Sequence, residues 1–247
     1  MRDEDTDIGG HRGQFPLTPL SAIQAARSDD PLQRARGFTA LVEAYWKPVY
    51  RAIRLHFHKT NEEAKDLTQA FFLDALEREL FESYELDRAR FRTFVRTCLR
   101  NYVSKAHQKA TRIKRGGAAI RLSLDFPTAE AELGTQPLDV SFEEAFAADL
   151  AKSLRETALA EVEAHFESRG KEQYVTIFRR YDLADVDDRP TYKELAEELG
   201  IKTTDVTNRL THVRQVFRKH VLARLRLITA SEEEFREEAR QLLGVEV

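Results

Sequence analysis

The sequence predicts an all-α protein in two helical domains, and three observations predict it. Apolar residues recur at three- and four-residue spacing through most of the chain, the signature of amphipathic helices. Glycine and proline are sparse, 10 and 7 in 247 residues, and fall mostly where helices should start or stop. Between residues 125 and 142 stand Asp125, Glu130, Glu132 and Asp139, with Pro127, Gly134 and Pro137 and no Lys or Arg. That composition suits an acidic, poorly structured linker. The expected divisions are an extension over 1–30, a helical domain over 31–115, the linker over 116–140, a second domain over 141–226, and an acidic helix within 227–247.

Taken in order, residues 1–15 are polar and read as disordered. Pro16, Pro19 and Pro31 are turn signals around a short helix at 20–27. From Phe38 the residues Leu41, Val42, Tyr45, Trp46, Val49, Ile53 and Phe57 share one helix face, which Pro48 should kink. Asn61 is the expected cap of the next helix, whose stripe runs Ala64, Leu67, Phe71, Ala75 and Leu76. Ser141 with Glu144, Thr191 with Glu194 and Ser231 with Glu234 each spell a capping box. Helices are therefore expected over 142–168, 191–199 and 231–243, with another near 171–183. Gly200 ends the helix at 191–199, and Thr203 is the expected cap of a longer one carrying Val206, Leu210, Val213, Phe217, Val221 and Leu225.

Two basic stretches suggest chemistry. Residues 88–123 hold Arg88, Arg90, Arg92, Arg96, Arg100, Lys105, Lys109, Arg112, Lys114, Arg115 and Arg121 and no acid. There Phe91, Phe94, Val95, Cys98, Leu99, Tyr102, Val103 and Ala106 form the apolar face, so the cations make a positive rail on the other side. The second stretch is a short helix, a Gly turn and a longer basic helix, the pattern of a DNA-binding helix-turn-helix. Thr204, Asp205, Thr207 and Asn208 would reach base edges, with Arg209, His212 and Arg214 nearer phosphates.

With a net charge of −3 the chain is no general polycation, so nucleic-acid contact must come from these patches. The single cysteine, Cys98, permits no intramolecular disulfide and fits a reducing cytoplasm. No signal pattern or membrane-length apolar run is legible, which points to a cytoplasmic protein without membrane contact. Zinc-ligand spacing and phosphate-binding Gly loops are absent, and His56 and His58 point to different sides of a helix. No metal, cofactor or enzymatic chemistry is expected.

At residues 63–72 the string EAKDLTQAFF resembles the docking helix of bacterial RNA polymerase sigma factors of the extracytoplasmic-function type. LVEAYWKPVYRAIR, RARFRTFVRTCLRNYV and KRGGAAIRLSLD resemble neighbouring segments of the same family's region 2. TYKELAEELGIKTTDVTNRLTHVRQVFRKHV resembles its region 4. The resemblance spans most of residues 38–226 and implies a transcription initiation factor that binds core RNA polymerase and promoter DNA. It implies that Asp66, Leu67, Gln69, Phe72 and Leu73 dock the polymerase. It assigns −10 binding and opening to Tyr84, Arg92, Arg96, Arg100, Asn101, Lys105, Gln108, Lys109 and Arg112. It gives −35 reading to Thr204, Asp205, Thr207, Asn208 and Arg209, with Arg214 and Arg218 on the backbone. Lys65 stands where the family has an acid; phosphorylation of Thr60 or Thr68 by a Ser/Thr kinase would return negative charge there. An anti-sigma factor is a further partner open to such a protein. The alternative reading is a self-sufficient helix-turn-helix regulator that acts without polymerase.

Overall fold

The computed structural model describes residues 21–77, 80–85, 88–109, 124–133 and 140–247. Every regular element among them is helical. The expected disordered segment 1–15 and the tip of the basic stretch, 110–123, lie outside the described residues.

Helix α1 (Ala22–Ala26) starts on Ser21, whose hydroxyl accepts from the Gln24 N–H at 3.2 Å. Helix α2 (Pro31–Arg51) starts earlier than the Phe38 stripe suggested. Asp30 accepts from the Leu32 N–H at 3.0 Å, and Pro31 takes the first helical position, where a missing N–H leaves nothing unpaired. Pro31 is thus a helix start and not a turn. Helix α1 crosses α2 at Gly37, where a Cβ would lie 2.3 Å from the Ala26 nitrogen and 2.6 Å from the Ala22 oxygen.

Pro48 lies inside α2 and does not end it. A proline at that position deprives the Ala44 carbonyl of its helical donor. Ser153, from the other side of the core, donates its hydroxyl to that carbonyl at 3.3 Å. Beyond Arg51 the helix widens into a π-turn, Ala52–His56.

Helix α3 (Asn61–Glu77) is capped by Thr60, not Asn61. The Thr60 hydroxyl accepts from the Glu63 N–H at 3.3 Å, and the Glu63 carboxylate accepts from the Thr60 N–H at 2.9 Å. The Asn61 side-chain amide instead lies 3.0 Å from the Tyr50 hydroxyl. A 3₁₀ turn, Leu80–Ser83, leads toward the basic helix α4 (Phe91–Lys109).

Part of the expected linker is a docked helix, α5 (Phe126–Ala131). The Phe126 ring packs on Trp46 and Tyr50, with centroids 5.7 and 5.2 Å away. Glu130 pairs with Arg54 at 2.7 Å and accepts from the Tyr50 hydroxyl. Glu132 pairs with Lys47 at 3.4 Å, and its carbonyl accepts from Arg51. Glu130 and Glu132, two of the acids that made this segment look like a tether, face cations on α2 and on the π-turn that follows it.

Helix α6 (Phe142–Glu167) begins with the reciprocal Ser141–Glu144 box and at 26 residues is about 39 Å long. It is followed by α7 (Glu172–Asp182), α8 (Tyr192–Leu199), α9 (Thr203–Leu227) and α10 (Glu232–Glu238), which runs into a second π-turn, Ala239–Leu243. Two cores form. The first gathers α1 to α5, the front of α6 through Leu154, the end of α9 at Leu225, and Phe235, Ala239 and Leu242 of the C-terminal segment. The second joins Val162 and Phe166 of α6 to Ile177, Leu195, Val206 and Leu210. Helices α6 and α9 therefore belong to both cores, and the acidic C-terminal helix packs with the first rather than trailing the second.

Candidate nucleic-acid interface

The two helices and the Gly turn between them form, and the first helix has the expected caps. Thr191 and Glu194 close a reciprocal box at the start of α8, and Gly200 stops it with a φ of 63°, a left-handed conformation in which an L side chain is strained. Helix α9 begins at Thr203 with Lys202 at the cap position, so Thr203 is not the cap. An ammonium cannot accept a hydrogen bond, and the closure is one-sided: Asp205 accepts from the Lys202 N–H at 3.2 Å. That carboxylate is engaged with its own helix end instead of standing free for a base.

Thr204, Thr207, Asn208 and Thr211 lie on one exposed face of α9 at helical spacing. The Thr207 and Thr211 hydroxyls donate to carbonyls one turn back, at 3.2 and 2.9 Å, which leaves their lone pairs outward. Three arginines of α9, Arg209, Arg214 and Arg218, are tied. Arg209 donates to Gln173 at 2.8 Å and covers the Tyr174 ring at 5.1 Å. Arg214 grips Asp182 with two bonds of 2.9 and 2.8 Å, and this partner holds its pKa above the usual arginine range. Arg218 donates to the Glu246 carbonyl at 3.0 Å. His212 stands against Phe166 and Tyr174, and its backbone position is exposed.

The α4 rail divides in two. Arg100, Asn101 and Lys105 are exposed. Arg100 also lies over the Phe142 ring at 5.6 Å. Gln108 and Lys109 close the helix, and Arg112 lies outside the described residues. Nearer the start of the helix, Arg96 meets Glu143 at 2.7 Å and Arg92 is buried against Glu238 at 3.1 Å. Tyr84 is only 2% exposed, with its ring edge against Phe91, so it does not sit on an open loop. Phe91 is fully buried, and Phe94 and Tyr102 pack against the same core, so these rings are not stacking platforms.

On α3, Asp66 is exposed, and Leu67, Gln69 and Leu73 are half-buried. Phe72 is at 0% exposure and supports this surface from beneath rather than forming it. Lys65 is held by Glu62 at 2.7 Å. Thr68 is at 0% exposure and closed to a kinase, whereas Thr60 is exposed but occupied as the α3 cap. His56 stacks on Phe142 at 4.3 Å, and burial lowers its pKa.

Four acids not assigned to the site from sequence face these cations: Glu143, Glu234, Glu237 and Glu238. For the last three the signal was the spacing of Glu234, Glu237 and Glu238, which puts three carboxylates on one helix face.

Among the described residues no cluster of His, Cys, Asp and Glu could hold a metal ion, and no helix is long and apolar enough to cross a membrane. Comparison of the chain with protein-family models, curated proteins and solved structures returns no match.

Proposed function

We propose that this chain is a transcription initiation factor of the sigma type, which binds core RNA polymerase and directs it to promoters. One module, 31–115, docks the polymerase and holds −10 DNA. The second, 141–226, reads the −35 element, with 116–140 between them and 227–247 after them. The observation that carries the reading is the α8–Gly200–α9 unit with Thr204, Thr207, Asn208 and Thr211 open on one face. A reader of base edges needs short polar side chains on a helix narrow enough for the major groove, and this face supplies them. The cationic α4, preceded by the partly exposed α3 surface of Asp66, Gln69 and Leu73, supports the same reading. The protein contributes binding free energy and breaks no bond.

Run-off transcription with core polymerase on fragmented genomic DNA, read by sequencing the transcript starts, tests this. Discrete starts that require the chain are expected. Failure of the chain to be retained on core polymerase in a pull-down overturns the reading.

A self-sufficient regulator is the second reading. It is favoured by one observation: the α9 stripe is open in the free chain while Tyr84 and Arg92 are covered. It requires tight, sequence-specific gel shifts by the free protein on paired half-sites, unchanged by core polymerase.

A further inference from the structure

The residue that directly precedes α4 offers it no side-chain cap. Arg90 precedes Phe91 and has no acceptor to offer. The missing acceptor comes from the far end of the chain: Glu234 of α10 accepts the Phe91 N–H at 2.7 Å. Its second oxygen accepts the Ala230 N–H, also at 2.7 Å, which fixes the carboxylate in place. One turn on, Glu237 meets Arg90 at 3.3 Å, and Glu238 meets both Arg90 at 3.5 Å and Arg92 at 3.1 Å. Three carboxylates thus occupy a helix N-terminus and two guanidinium groups, the positions a nucleic-acid phosphate would take.

This latch is built to be exchangeable. Arg92 and Glu238 are both nearly buried and share one long bond, Nη2 to Oε1 at 3.3 Å, with Gln241 taking a second from Nη2 at 3.1 Å, yet the Nε and Oε2 atoms that face one another make no aligned hydrogen bond. Burial raises the Glu238 pKa, and Arg92 and Arg90 offset that only in part. Desolvating two charges recovers little net free energy even in good geometry, so such a pair is weak glue for a helix. Replacing carboxylates by phosphates keeps the charge type at each cation, and the released α10 carboxylates regain water. Apolar contact through Phe235, Ala239 and Leu242 holds the lid in register when no competitor is present.

We propose that α10 is a built-in mask of the α4 cationic face, and that nucleic acid engages Arg90 and Arg92 only when α10 lifts. The inference rests on the sigma-type reading and concerns the regulation of its −10 surface. The test compares the full chain with the full-length Glu234→Gln, Glu237→Gln, Glu238→Gln variant, using a short fluorescein-labelled single-stranded oligonucleotide and core polymerase. The variant should bind the oligonucleotide about tenfold tighter, with a salt slope steeper by about 1.4 for two freed arginines. Hydrogen exchange on the unmodified chain gives a reading that does not depend on the variant folding: oligonucleotide should accelerate exchange across 231–243. If α10 amides stay protected in the bound chain, or if both proteins bind with equal affinity and slope, the mask is wrong. The sigma-type reading survives that result if both still start transcripts with core polymerase. If neither binds core polymerase, the reading itself falls, and the mask falls with it.

Discussion

Pro48 and Ser153 show how a single residue's defect becomes a contact between helices. The proline leaves the Ala44 carbonyl without its helical donor, and the buried Ser153 hydroxyl supplies one from α6. Ser153→Ala should destabilise the protein by about 1–3 kcal/mol, the range for an acceptor left unpaired in a core. Pro48→Ala restores a backbone N–H at the same carbonyl, so Ser153→Ala should cost much less in that background. A double-mutant cycle by denaturant unfolding reads this directly; full additivity would refute the link. Cys98 is the second residue-scale case. Burial alone pushes its thiol up to about 11, so little thiolate exists at neutral pH. Alkylation of the native chain should be slow and should accelerate sharply on unfolding, as a thiol-reactive chromophore would report.

At the scale of the element, what sequence could reveal depended on how local the cause was. The reciprocal caps at Ser141 and Thr191, the Gly200 stop and the apolar stripes are written within a few residues, and each appears where expected. Docking partners are not local. Nothing near Phe126 states that α2 and its π-turn will present Lys47, Arg51 and Arg54 to it, and so an acidic helix read as a tether. Likewise Glu234 looked like half of its own helix's box; its N–H does meet Ser231, but its carboxylate caps α4. Two predictions follow from these docked elements. Alanine is the better helix former, yet Gly37→Ala should destabilise by roughly 1–3 kcal/mol, because the new methyl meets α1 backbone that cannot rotate aside. Faster exchange of the Ala22–Ala26 amides would locate the loss; a stabilised protein would contradict the crossing geometry.

The attachment of α5 carries a pH dependence. The Arg54 hydrogen bond holds Glu130 below the usual carboxylate range, and the bonds from Thr128 do the same for Asp125 at the α5 cap. A carboxyl depressed in the folded state contributes stability that is complete above its unfolded pKa and disappears as pH falls through the folded one. Docking should therefore hold at neutral pH and fail in the window below about pH 4.3. Trp46 is the chain's one tryptophan and touches Phe126, so its emission follows this step. An acid titration should move Trp46 emission, and Glu130→Gln should remove part of the pH dependence.

Over the whole molecule, α6 and α9 settle whether the two cores are independent. Helix α6 enters the first core at Phe142 and the second at Val162, with Ala158 fully buried between them. Helix α9 runs the other way, from Val206 and Leu210 in the second core to Leu225 in the first. Helix propagation is cooperative, so neither helix can melt at one end without shortening the support of the other core. His220 and Arg224 on α9 also bind Glu161 on α6 in the stretch between the cores. The two cores should therefore unfold together. Leu210→Ala, deep in the second core, should remove about 2–5 kcal/mol. Trp46, in the first core, should report that loss as the same shift in midpoint that far-ultraviolet ellipticity gives. An unshifted Trp46 transition beside a shifted ellipticity transition would mean that α6 and α9 bend between two separate bodies, and the coupling inferred from their shared burial would be lost.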